Sequence, residues 1–158
     1  MERILKEMNL QMKEHPQERE QMIEEIYKIE QCTFPDPWSE KSIADTLSVS
    51  GYRNTAVWID GELAGYLFCS HVLDEAEIVK IAVHPKFQRQ GVARMLLEEF
   101  LEWCKDHDIS RWMLDVRAGN VGAIALYRAF GFVEDGVRKN YYEHPREDAL
   151  LMSRSVSR

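Results

Sequence analysis

The sequence predicts an α/β (α+β) fold, a mixed sheet with helices on both faces. Three observations predict it. Short apolar runs, many alternating with polar residues, recur through much of the chain, as strands require. Four segments instead repeat apolar residues at helical spacing. Before Pro85 the strands come in hairpin spacing, and after it strands and helices alternate.

Met8, Leu10 and Met12 alternate with polar residues and predict a short first strand. Residues 1–15 around it are open to fraying, as chain ends are. Pro16 opens a helix whose apolar stripe runs through Met22, Ile23, Ile26 and positions 29–30, with Glu24, Glu25 and Lys28 largely off it. "FPDPW" ends that helix, because two prolines so close cannot continue one. Ser39 N-caps a second helix running to about Val49. "TAVWID" and "LAGYLFCSHVL" flank Asp60-Gly61, a strong hairpin signal. "AEIVKIAVHP" is the next strand, apolar enough to be central, and Pro85 ends it.

Gly91 to about His107 is helical. Val92, Leu96, Phe100 and Trp103 form its apolar stripe, while Glu98, Glu102 and Lys105 gather on the other side. "SRWMLDVRA" alternates like a strand. "NVGAIALYRAFGF" is a helix with Asn120 near its start and Gly131 just past its end. The tail beyond it resembles two strands around a loop. The order is β-α-α-β-β-β-α-β-α-β-β, in one domain over residues 1–158 with no repeat or linker.

A chain of 158 residues buries roughly two-thirds of its unfolded surface. Its net charge of −7 argues against general affinity for nucleic acid and favours a basic partner. Cys32, Cys69 and Cys104 fit neither a disulfide framework nor a CxxC motif and are expected as buried free thiols in a reducing compartment. The start, "MERILKEMNL", is charged and lacks the apolar core of a secretory signal. No apolar run approaches the ~18 residues of a membrane span. A cytoplasmic location and no membrane contact are the expectations. The five histidines form no ligand cluster, and "EHPRED" suits a solvated loop, so no metal is expected.

The informative stretch is "HPKFQRQGVAR", which joins the central strand to the long helix. A helix leaves its first four N–H groups without internal partners, and that end carries partial positive charge. Gly91 lets the chain turn sharply and a ligand approach the backbone. Lys86, Arg89 and Arg94 add positive charge in an acidic protein. This geometry suits a phosphate, as it suits an ordinary strand-to-helix turn. No G-x-x-x-x-G-K-[ST] or G-x-G-x-x-G is present.

"VHPKFQRQGVARMLL" resembles the acyl-CoA pyrophosphate loop of the GNAT N-acetyltransferases, Gln/Arg-x-x-Gly-x-Gly/Ala, with Gln88, Gly91 and Ala93 in the three defining positions. "IVKIAVHP", "LDVRAGNVGAIALYRAFGF" and "VRKNYY…REDALLM" are similar, in order and spacing, to the bacterial ribosomal-protein-alanine N-acetyltransferases (the RimI type), and "FPDPWSE" resembles their "FPWSE". The match runs from about Ile29 to Met152. The resemblance implies the GNAT fold, a mostly antiparallel sheet of about 6–7 strands. It implies acetyl-CoA as co-substrate and the N-terminal amine of a protein as acceptor, with direct attack while both are bound. The implied acceptor begins with alanine and is a basic small-subunit ribosomal protein.

The resemblance also implies roles. Ile81, Ala82 and Val83 match the strand that pairs with the pantetheine arm, and a backbone N–H near Val83 would polarise the acetyl carbonyl. Arg89, Gln90, Gly91, Val92, Ala93 and Arg94 match the pyrophosphate cradle. Asn120 matches a polar cofactor contact and equally suits a helix N-cap. Tyr127 matches the acid that protonates the departing thiolate. A phenol of pKa about 10 is neutral at pH 7 and can protonate a thiolate of pKa about 8.5. Tyr127 also sits at core spacing with Ala123, Ile124 and Phe130.

Asp115 stands where the family has a glutamate base, and is shorter by roughly 1.5 Å of reach. It could act through water, lie on a strand set closer to the substrate, or yield the task to another group. It could also pair with Arg117 on the same strand face. Phe34, Trp38, Tyr141 and Tyr142 match the loops flanking the acceptor peptide and equally suit packing. The alternatives to this reading are another acceptor amine (a lysine side chain, a small amine, broader protein N-termini), a non-catalytic acyl-CoA-binding module, or a scaffold that binds no CoA.

Overall fold

The computed structural model describes residues 1–8 and 15–156. Strands β1 (Arg3–Glu7), β2 (Tyr52–Ile59), β3 (Glu62–Val72), β4 (Glu75–Val83), β5 (Arg111–Arg117), β6 (Val133–Glu143) and β7 (Arg146–Ser155) form a single sheet in the order β1-β2-β3-β4-β5-β7-β6. The helices are α1 (Pro16–Thr33), α2 (Glu40–Ser48), α3 (Val92–Asp106) and α4 (Val121–Ala129). Every neighbouring pair is antiparallel except β4–β5. A parallel pair needs a long crossover, and α3 supplies it.

The local signals do what their chemistry requires. Asp60-Gly61 turns β2 into β3, and Ile59 faces Glu62 across the turn. The Ser39 hydroxyl accepts the Ser42 N–H and caps α2. β4 sits at the centre of the sheet, as its apolar content predicts. On one face Met22, Ile23, Ile26 and Ile29 of α1 and Ile43 and Leu47 of α2 pack on Ala56, Tyr66, Phe68 and Ala82. On the other, Val92, Leu96 and Phe100 of α3 and Ile124 and Tyr127 of α4 pack on Val57, Leu67, Ile78, Leu114 and Val116.

Two expectations need correction. A strand lies at Arg3–Glu7, ahead of the position predicted, and Met8 falls just past its end. Its register is set by pairing with Thr55–Ile59 of β2, a long-range partner that local alternation does not reveal. Met8 is fully buried just beyond it and donates its N–H to Asn54 O at 2.8 Å. Leu10 and Met12 lie outside the described residues. Cys69 and Cys104 are buried, but Cys32 is exposed, because position 32 falls off the buried stripe of α1.

The central pair parts midway. β4 and β5 pair only from Glu75–Arg111 to Ile78–Leu114. At that point β4 carries a bulge: Cys69 of β3 pairs with Ile78 and Phe68 with Lys80, leaving Val79 over. An extra residue bends the bulged strand. From there β4 follows β3 alone, while Asp115–Arg117 of β5 follows β7. A wedge opens between them.

Gly65 lets α3 close one side of the wedge. A Cβ there would stand 2.7 Å from Ala82 O and 2.9 Å from Val92 Cγ1. Gly65→Ala must push the Ala82 carbonyl of β4 and the Val92 side chain away from β3 and is expected to cost about 1–3 kcal/mol, read as a lowered denaturation midpoint.

Candidate active site

The wedge holds two connected clefts. One, about 510 Å³, is walled by Phe34, Trp38, Glu77, Asp115, Tyr141 and Tyr142 among others. The other, about 850 Å³, lies between Ile81–Val83, the loop and first turn of α3, and α4. They meet at Phe34, Ile81, Arg117, Asn120, Ala123 and Tyr127. Every predicted site residue except Gln90 lines one cleft or both.

The larger cleft is built on the strand-to-helix loop. Pro85–Phe87 makes one tight turn and buries Phe87, which anchors the loop. Arg89 and Gly91 then take positive φ, 62° and 81°, and swing the chain into α3. Gly91 is the N-cap, so no side chain caps the helix end by a hydrogen bond. The first α3 bond runs from Met95 N–H to Gly91 O at 3.0 Å. The Val92, Ala93 and Arg94 amides find no acceptor among the described residues and face a cleft that they line. Such an end favours an anion.

The charged side chains of the loop differ in availability. Lys86 is engaged by Glu62 at 2.8 Å. The Arg94 guanidinium lies 5.2 Å from the Phe130 ring centre. Gln90 does not line the cleft: its side chain donates to Lys86 O, and its own carbonyl accepts from Arg3 Nη1 at 2.7 Å. Asn120 caps α4, with Oδ1 accepting the Ala123 N–H at 3.2 Å, and it lines both clefts as well. Its two sequence readings are therefore compatible.

Tyr127 is buried at the junction of the clefts and packs edge-on against Phe132, at 5.9 Å between ring centres. Burial, and secondarily Tyr142, pushes its hydroxyl well above the usual phenol range. It stays neutral throughout ordinary pH.

Asp115 is half-buried and does not pair with Arg117. That guanidinium instead bonds Glu147 at 3.2 Å and Pro145 O at 3.0 Å, and covers the Tyr142 ring at 4.3 Å. Glu147 in turn accepts the Gly119 N–H at 2.6 Å, which ties the β6–β7 turn to the end of β5. The Asp115 carboxylate makes no hydrogen bond or ion pair among the described residues.

Glu77, unremarked in the sequence, faces the same cleft from β4. Burial, then the Asp115 carboxylate, holds its carboxyl above the usual range, with Arg138 opposing. Tyr142 is pushed up to about 12, first by burial and then by Asp115. Glu77 is one of three charged residues of β4, with Glu75 and Lys80, so its residue type alone does not single it out.

Glu30 was also missed. It occupies the apolar stripe of α1 and is fully buried. It accepts from Lys80 Nζ at 2.6 Å, from Trp38 N–H at 2.9 Å, and from the Tyr66 hydroxyl. Among the described residues, no group of three or more His, Cys, Asp or Glu could hold a metal, and no helix is long and apolar enough to cross a membrane.

The parted strands and the open helix end both lie within residues 23–132, which match the Acetyltransferase (GNAT) family: the chain belongs to it, a family of acyl-group transferases. It is 41% identical over 133 residues to the [Ribosomal protein bS18]-alanine N-acetyltransferase of Escherichia coli (strain K12), covering 83% of this chain and 89% of that protein. It is 38% identical over 131 residues to the putative [ribosomal protein bS18]-alanine N-acetyltransferase of Bacillus subtilis (strain 168), covering 82% and 87%. The crystal structure of the ribosomal-protein-S18-alanine N-acetyltransferase from Escherichia coli matches with a TM-score of 0.86 and 34% identity, covering 99% of this chain and 96% of that one.

The Glu77 carboxyl has a stability consequence. An acid whose folded pKa is raised favours folding below its unfolded value, 4.5, and loses that contribution as pH rises through the folded value. Glu77→Gln is thus expected to stabilise the protein at pH 7, by less than about 1 kcal/mol because the group is exposed. The gain should vanish near pH 4, measured by urea unfolding at both pH values.

Proposed function

We propose that this protein transfers an acetyl group from acetyl-CoA to the N-terminal amine of a protein beginning with alanine, a basic small-subunit ribosomal protein, in the cytoplasm. The observation that carries this reading is the pair of clefts meeting at Tyr127. One lies under the open end of α3, and the other is walled by carboxylates and aromatics. The names of the relatives support the acceptor.

In this reading the diphosphate of the co-substrate sits on the amides of Val92, Ala93 and Arg94, with Arg89 and Arg94 adding positive charge. The pantetheine arm follows Ile81–Val83, whose edge facing β5 carries no ladder bonds beyond Ile78–Leu114. Asn120 borders the path of the arm. Acetyl-CoA, when bound, supplies a thioester-activated acyl group. A main-chain N–H near Val83 polarises its carbonyl.

The acceptor enters past Phe34, Trp38, Tyr141 and Tyr142. Its ammonium meets Asp115 and Glu77, and the pair accepts its proton. An α-amino group has pKa about 7.7–8.0, so little basicity is needed. The shorter reach of Asp115 is offset by the second carboxylate across the wedge. The free amine attacks the thioester carbonyl directly. Tyr127, kept neutral by burial, hydrogen-bonds the departing sulfur and gives its proton as the C–S bond breaks.

Three measurements test this. Purified protein with acetyl-CoA should acetylate a basic alanine-initiated peptide in preference to an N-blocked lysine peptide or a polyamine; reaction with the polyamine alone would overturn the acceptor. Tyr127→Phe should lower kcat by about 10²-fold while the Kd for CoA stays within about 2-fold. Unchanged turnover would remove Tyr127 as the acid. Gly91→Glu places a carboxylate against the diphosphate and strains a positive φ, and should weaken CoA binding at least about 10-fold by calorimetry. An unaltered affinity would move the diphosphate elsewhere.

A further inference from the structure

Lys80 has no role in the chemistry above, yet its place is unusual. It is the first residue of β4 after the bulge, and its side chain is only 12% exposed. A buried ammonium is costly unless paired, and even a good pair is often no more stable than apolar side chains of the same volume. Packing alone would therefore be served by a methionine.

The surroundings show what the charge does. Lys80 Nζ lies 2.6 Å from Glu30 Oε1, and the same oxygen accepts the Trp38 N–H at 2.9 Å. Nζ also sits 4.2 Å from the centre of the Phe34 ring and 4.3 Å from that of Trp38. Cations over aromatic faces are attracted to them, the more so when desolvated. Trp38 stacks on Phe68 of β3 at 5.5 Å, nearly parallel. The Phe34–Trp38 segment joins α1 to α2 and belongs to neither, and Pro35 and Pro37 lack N–H donors. One cation thus ties both aromatics of an irregular segment to the strand that borders the clefts. Burial lowers the Lys80 pKa, while Glu30 opposes the loss of its charge.

We propose that Lys80, paired with buried Glu30, is a positioning residue that sets Phe34 and Trp38 as the wall of the acceptor cleft and so determines affinity for the acceptor peptide. The proposal rests on the acetyl-transfer reading and on the acceptor entering the 510 Å³ cleft.

The test uses the full chain, acetyl-CoA and an alanine-initiated peptide, with two variants. Lys80→Met removes the cation. Glu30→Gln with Lys80→Met also removes the carboxylate left behind, while the amide oxygen can still accept the Trp38 N–H. In both, the peptide KM should rise about 10-fold, as loss of a desolvated cation–π clamp predicts, with kcat and the KM for acetyl-CoA within about 3-fold of the unaltered enzyme. A merely structural role would lower kcat through loss of folded protein and leave both KM values unchanged, and that result overturns the proposal. Equal rises in both KM values also overturn it, since the acceptor would not be singled out. If the unaltered enzyme binds CoA but acetylates no peptide, the acetyl-transfer reading fails and takes the acceptor role with it.

Discussion

The structure depends on the parting of β4 from β5. Their pairing stops after Ile78–Leu114, where Val79 is left over as a bulge. A continuous parallel pair would close the sheet through its middle and leave no wedge. The bulge also changes which face the later residues of β4 present. Ala76 and Ile78 belong to the core under α3, whereas Ala82 belongs to the core under α1. The single extra residue thus opens the site and reorients the strand that borders it.

Around the wedge, charge is sorted by position. The open amides of α3 face one cleft, with Arg89 and Arg94 beside them. Glu77 and Asp115 face the other without a tightly bound cation of their own. The cations that line that cleft are engaged by other carboxylates, Lys80 by Glu30 and Arg117 by Glu147, while Arg138 acts on Glu77 without an ion pair. The proposed reaction, with an anion at one end and an ammonium entering at the other, requires this division. The overall charge of −7 does not reveal it, because the useful positive end comes largely from main-chain dipoles.

Much of the fold was legible. The order of elements follows from alternation, helical spacing and punctuation by Pro and Gly, because each of these acts within a few residues. Ser39 and Asn120 were readable as caps for the same reason. The first strand was misplaced because its register belongs to β2, some fifty residues away. Of the cleft lining, the glycine loop and Tyr127 were named in advance through motif and resemblance. Glu77 and Lys80 were not, nor was buried Glu30. Glu30 breaks the apolar stripe of α1, and only Lys80 and Tyr66, distant in sequence, explain why a carboxylate is tolerated there. Glu77 matters only because β5 carries Asp115 past it. Arg117 shares a strand face with Asp115, as alternation says, yet its partner comes from β7.

The role proposed for the α3 amides is tested most directly by following backbone ¹⁵N–¹H resonances during titration with coenzyme A. The largest shifts should fall on Gly91, Val92, Ala93 and Arg94, with smaller ones along Ile81–Val83. Saturable binding that leaves the Gly91–Arg94 amides unmoved while perturbing another part of the protein would contradict the account.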